Sequence, residues 1–194
     1  MPFFTYCRSR LRALARSAAA AALGWTLLLV PAHADTVTVK AAELRIEEGE
    51  VLLNAEFDLT LNPTLEEALE KGIPLYFILE FELSRSRWYW FDDKVAQTAI
   101  TSRVSYNALT RQYRVGSGLL ALTFGSLEEV ERYLSRVNSR PVAQASALAK
   151  GVRYDAALRL RLDVNQLPKP FQVNALASRE WTLASDWYRW VYLP

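Results

Sequence analysis

Four acidic side chains, Glu56, Asp58, Glu80 and Glu82, stand at alternate positions of two apolar-patterned runs. Two carboxylates facing each other across neighbouring strands are what glycoside hydrolysis needs, one to protonate the leaving oxygen and one to act as base or nucleophile. A third run carries Arg159 and Arg161 at the same alternation, and cross-strand charge pairs with these arginines account for the acids equally well. The other acidic candidates are Asp92-Asp93 and Glu47-Glu48. Adjacent side chains diverge on strands, so these pairs are expected to be solvated turn carboxylates. Gly116-Ser117-Gly118 lies between two strand candidates, where a hairpin turn explains it better than a nucleophile or a phosphate cradle. There is no D-x-D-x-D-G calcium loop and no Gly-x-Ser-x-Gly elbow.

Beyond residue 34 the chain contains no Cys, His or Met. A Ser-His-Asp triad, a Cys-His pair and zinc or copper sites are thereby excluded, and no cofactor is expected. The lone Cys7 and His33 fall in a segment built like a secretory leader. Arg8, Arg10, Arg12 and Arg16 form its basic start, Ala18 to Val30 its apolar centre, and Ala32-His33-Ala34 its small-x-small cleavage signal. The apolar centre has 13 residues, short of the roughly 20 that a membrane-spanning helix needs. Residues 1–34 are accordingly expected to be a signal peptide cut before Asp35, leaving a single periplasmic domain over 35–194 with no transmembrane segment; the alternative is an uncleaved amino-terminal membrane anchor. Removing four arginines from 23 basic residues leaves 19 against 21 acidic ones, a net charge near −2. That balance argues against a nucleic-acid partner.

Aromatic residues and arginines are in surplus. The strand parity of Arg85 to Phe91 places Arg87 with one set of side chains and Trp88 and Trp90 with the other, and the chain closes on Trp181, Trp187, Tyr188, Trp190 and Tyr192. Such clusters either plug the ends of a core, anchor a protein partner, or bind an amphiphile or sugar. Arg87, Trp88, Trp90, Trp187 and Trp190 are the candidate partner-binding residues. Fourteen of the 19 basic residues are Arg, which suits carboxylate ladders on a wet sheet face or an anionic ligand.

The elements that must position these side chains are mostly strands. Val51, Leu53, Ala55, Phe57, Leu59 and Leu61 share one parity against Asn54, Glu56, Asp58 and Thr60. The same split separates Phe77, Leu79, Phe81 and Leu83 from Glu80, Glu82 and Ser84, and Leu158, Leu160, Leu162 and Val164 from Arg159, Arg161 and Asp163. Further strands are expected at 36–46, 87–91, 95–107, 111–116, 119–124, 169–176 and 181–192. Two short helices are expected behind the capping boxes Thr64-Leu65-Glu66-Glu67 and Ser126-Leu127-Glu128-Glu129. The first runs to about Lys71, and the second carries an apolar stripe through Val137. Ser139 to Lys150 is expected to be a loop. The pattern predicts a mainly β fold: an antiparallel β-sandwich, immunoglobulin-like in style, with two short helices.

Five segments, Gly72-Ile73-Pro74-Leu75-Tyr76-Phe77, Arg87-Trp88-Tyr89-Trp90, Leu109-Thr110-Arg111-Gln112-Tyr113-Arg114-Val115, Arg159-Leu160-Arg161-Leu162-Asp163 and Gln166-Leu167-Pro168-Lys169-Pro170-Phe171-Gln172-Val173, together resemble the DUF4390 family of exported proteobacterial proteins. The resemblance carries no catalytic residue with it. It implies, through genes often neighbouring an envelope two-component sensor kinase, a role in envelope signalling. The expected function is a non-enzymatic interaction module touching an envelope protein such as that kinase. The alternatives are a binding protein for a lipid, glycan or peptide and a carboxylate-based hydrolase.

Overall fold

A computed structural model describes residues 37–85 and 93–194. Among these residues nine antiparallel strands form two sheets. The smaller has the order β1-β2-β7, with β1 at Thr38–Glu47, β2 at Glu50–Asp58 and β7 at Arg136–Gln144. The larger has the order β6-β5-β4-β3-β8-β9, with β3 at Leu75–Arg85, β4 at Asp93–Asn107, β5 at Gln112–Ser117, β6 at Leu120–Phe124, β8 at Tyr154–Leu162 and β9 at Tyr188–Tyr192. The chain is mainly β, arranged like a sandwich.

The period-2 runs decide which faces meet. Val51, Leu53, Ala55 and Phe57 of β2 are buried, as are Leu75, Phe77, Leu79, Phe81 and Leu83 of β3 and the alternate residues of β8 from Tyr154 to Leu162. Each large side chain so buried contributes about 1.5–3 kcal/mol. A single Phe81→Ala change in this layer would cost about 3–5 kcal/mol. The opposite face of the larger sheet stays wet, and register there sets Glu80 of β3 between Ala99 of β4 and Arg159 of β8. The sheets are also tied by polar contacts: Thr98 Oγ1 on β4 donates to the Val142 carbonyl of β7 at 2.9 Å.

The smaller sheet covers the larger incompletely. β7 lies against β4, while the start of β1 lies beside Ala184 to Tyr188. β5 and β6 therefore project past it. Helix α2 (Leu127–Leu134) covers part of the overhang, its Tyr133 ring 5.4 Å from that of Phe124. It starts at the expected cap: Ser126 Oγ accepts from the Glu129 N–H, and Glu129 Oε2 accepts in turn from the Gly125 N–H at 2.9 Å.

Five local expectations are corrected. Helix α1 (Pro63–Glu70) is capped by Asn62, whose Oδ1 accepts from the Leu65 N–H at 2.9 Å, because Pro63 occupies the first helical position and pushes the cap two residues earlier than Thr64. Helix α2 stops at Leu134, and the stretch expected as a loop from Ser139 begins inside β7. That strand hides its period because Asn138 and Ser139 bulge opposite Asn54, whose Oδ1 accepts from the Ser139 N–H at 2.7 Å. Its Pro141 is tolerated because β7 is an edge strand. Residues 169–176, expected as a strand, form helix α3 (Lys169–Ala177), a third helix where two were expected. Pro170 sits in its first turn, Ala175 is buried in the core, and the Phe171 ring packs against it, 5.8 Å from that of Trp181. The last expected strand, 181–192, shrinks to β9 after a 3-10 turn at Arg179–Trp181. The expected strand at 87–91 and the leader lie outside the described residues.

Candidate functional site

The carboxylates do not converge. Glu56 and Asp58 belong to the smaller sheet and Glu80 and Glu82 to the larger. Asp58 pairs with Lys40 at 3.4 Å, and Glu82 lies 3.5 Å from Lys94 Nζ and accepts from Gln97 at 3.2 Å. Glu80 is clamped from β8. Its Oε2 accepts from Nε of Arg159 at 2.7 Å and also from Nη2, and its Oε1 accepts from Nε and Nη2 of Arg161 at 3.0 and 2.9 Å. Burial pushes the Glu80 carboxyl up, but the hydrogen bonds and charges of Arg161 and Arg159 outweigh that and hold it below the usual carboxylate range. A carboxyl kept ionised by two guanidinium forks is a poor proton donor. Arg161 reaches on to Asp163 at 3.7 Å, so the wet face carries a structural ladder.

Of the remaining motifs, Glu48-Gly49 and Gly118 are turns, whereas Asp93, expected as a solvated turn carboxylate, opens β4 and pairs with Arg85, and Asp92 lies outside the described residues. Glu48 and Gly49, with φ of 50° and 83°, make the two-residue connection between β1 and β2. Gly118, at φ 60°, turns β5 into β6. Asp93 Oδ2 accepts from Arg85 at 2.9 Å. Among the described residues no group of three or more His, Cys, Asp or Glu side chains has the geometry of a metal site.

Of the aromatic candidates, Arg87, Trp88 and Trp90 lie outside the described residues. Trp187 and Trp190 are half-buried and face opposite ways, since Trp190 pairs with inward Ala156 while Trp187 stands beside Arg159. The Trp190 ring packs 6.3 Å from Phe81 and 5.7 Å from Tyr188. The Arg159 guanidinium lies 4.5 Å over the Trp187 ring, joining that indole to the Glu80 ladder. Trp187 and Tyr188 also border an open groove with Val37 and Val39 of about 290 Å³.

Two features went unread in the sequence. The first is the free edge of β6. Leu120, Leu122 and Phe124 face inward by register with Ser117, Val115 and Tyr113, yet they overhang the smaller sheet. Leu119 in the turn and Leu120 are fully or largely exposed and Leu122 is 44% exposed. No charged residue interrupts Leu120–Phe124. The alternation was visible, but the absence of a covering layer was not. The second is a cleft of about 220 Å³ between the sheets, lined by Phe77, Leu79, Ile100 and Leu160 from the larger sheet and by Leu134, Val137, Arg136 and Arg140 opposite. It exists because β4 and β5 place small Ser102 and Ser117 inward there. No helix among the described residues is long and apolar enough to cross a membrane.

Compared with known proteins, residues 34–191 match the family model for a domain of unknown function, DUF4390. No curated protein and no solved structure matches the chain.

Proposed function

The chain belongs to the DUF4390 family, and from that premise we propose that it is an exported, non-enzymatic interaction module of the bacterial envelope. It takes an extended segment of an envelope protein onto the free edge of β6, the periplasmic part of a two-component sensor kinase being the first partner to test. The observation that carries this is the edge itself: an uncharged strand, Leu120–Phe124, ending a six-stranded sheet beside a turn that exposes Leu119 and Leu120. Soluble proteins normally blunt such edges with charge, proline or a cover, because unpaired backbone groups recruit other strands. Strand addition uses those groups for affinity and alternate side chains for specificity. The lack of Cys, His and Met beyond residue 34, and the engagement of Glu80 by two arginines, favour binding over catalysis. The leader-like order of residues 1–34 supports export to the periplasm.

A second surface is favoured by the stacking of Arg159 on Trp187 near the open edges of β1 and β9. There Trp187 would hold the partner; Trp190 faces the other way, and Arg87, Trp88 and Trp90 lie outside the described residues. The test uses purified residues 35–194 and the periplasmic domain of the neighbouring kinase. Leu120→Lys with Leu122→Lys should weaken binding by at least about tenfold while Trp187→Ala leaves it intact. The converse result moves the interface to the tryptophans. No binding by the unaltered protein would remove the kinase as the partner.

A further inference from the structure

We propose that the cleft between the sheets binds a single-chain anionic amphiphile, its acyl tail on the apolar floor and its carboxylate on Arg136 and Arg140. The floor is built from inward residues of the larger sheet, Phe77, Leu79, Ile100 and Leu160. No Asp or Glu lines the cleft among the described residues, whereas two arginines, Arg136 and Arg140, do. Arg140 is half-buried and donates to Ser117 Oγ at 3.3 Å, a neutral partner. Arg136 stands opposite Glu56 in register but forms no ion pair with it. Among the described residues neither arginine is paired with an acid, in contrast to Arg159 and Arg161 on the wet face of the larger sheet.

Guanidinium forks with apolar walls select an anionic head joined to a hydrocarbon body. Size narrows the class. At about 220 Å³ the cleft exceeds the ~150 Å³ apolar cavity that admits benzene but falls below the ~300–1,000 Å³ of drug-sized pockets. One medium acyl chain suits it, and a two-chain lipid does not. Ser102, Ser117 and Asn138 supply further donors for the head. This site is separate from the β6 edge in its side chains, so either can fail without the other.

The test is calorimetric titration of residues 35–194 with decanoate, decanol and decyltrimethylammonium. Decanoate should bind saturably at one site, and decanol and the cationic amphiphile at least about tenfold more weakly. Arg136→Gln with Arg140→Gln should erase the preference for the anion. Ser102→Phe, which fills the cleft, should block decanoate with the melting temperature retained. Should that variant unfold, the arginine pair and the head-group comparison still decide. Equal binding of all three amphiphiles, indifference to the arginine changes, or association only with anionic vesicles and not with free decanoate would overturn the proposal.

Discussion

Replacing Glu80 tests whether the wet face of the larger sheet is a structural ladder. Its carboxylate takes hydrogen bonds from both Arg159 and Arg161, with all three side chains 20–30% exposed. Among the described residues Glu80→Ala leaves Arg161 with Asp163 at 3.7 Å and Arg159 with the Trp187 ring at 4.5 Å. Removing one partner of a fully buried pair costs about 3–5 kcal/mol, and an exposed pair is worth about 0.2–1 kcal/mol. One-fifth exposure sets Glu80 between them, so the expected loss is about 2 kcal/mol. In a domain of this size that lowers the melting temperature by about 4–8 °C. Glu80→Gln, which keeps an acceptor but no charge, should lose less. The pH dependence has a definite sign. Because the folded carboxyl lies below its ordinary value of 4.5, its stabilisation is fully present above the unfolded pKa and disappears as pH falls through the folded one. Urea titrations of the unaltered and Gln proteins at pH 7 should therefore differ, and the gap should close in strong acid. A Glu80→Ala midpoint within about 0.5 kcal/mol of the unaltered protein, or a gap unchanged between neutral and strongly acid pH, would refute the ladder.

Glu131 should behave in the opposite sense. Burial and the charges of Glu66 and Glu128 raise its carboxyl, against the lowering effect of the Leu61 N–H that donates to it at 2.7 Å. Its ionisation therefore costs stability as pH rises from the unfolded pKa through the folded one. Glu131→Gln, which keeps an acceptor for Leu61, should raise the unfolding midpoint at pH 7 by up to about 1 kcal/mol, with the gain vanishing in acid. The two terminal tryptophans should separate by denaturant titration. Trp190→Ala loses the contacts with Phe81 and Tyr188 and should cost about 2–3 kcal/mol, below the fully buried case. Trp187→Ala loses chiefly the Arg159 stack and should cost about 0.5–1 kcal/mol.

What the sequence disclosed followed from uninterrupted periodicity. Runs such as Val51 to Phe57 and Phe77 to Leu83 keep one parity buried along their length, so both the strands and their inward faces were legible. β7 was not, because the bulge at Asn138 and Ser139 switches its parity midway and Pro141 reads as a strand breaker. α3 failed for the converse reason: Phe171, Val173 and Ala175 alternate like a strand, yet Val173 is exposed and the flanking prolines suit a helix start. The carboxylate candidates were resolved by register, which sets Glu80 against Arg159, a pairing the sequence left as one of two explanations. The β6 edge and the cleft depend on which strands the smaller sheet covers. That is a property of two sheets together, and no single run carries it.

Amide hydrogen exchange on residues 112–124, in the free protein and in complex with the kinase's periplasmic domain, addresses strand capture at β6 most directly. The β6 amides that point away from β5 have no ladder partner among the described residues, so a strand added there should protect them while leaving the amides paired with β5 little changed. Protection confined to 120–124 is the predicted result. A complex that forms with exchange across 120–124 unaltered would contradict it.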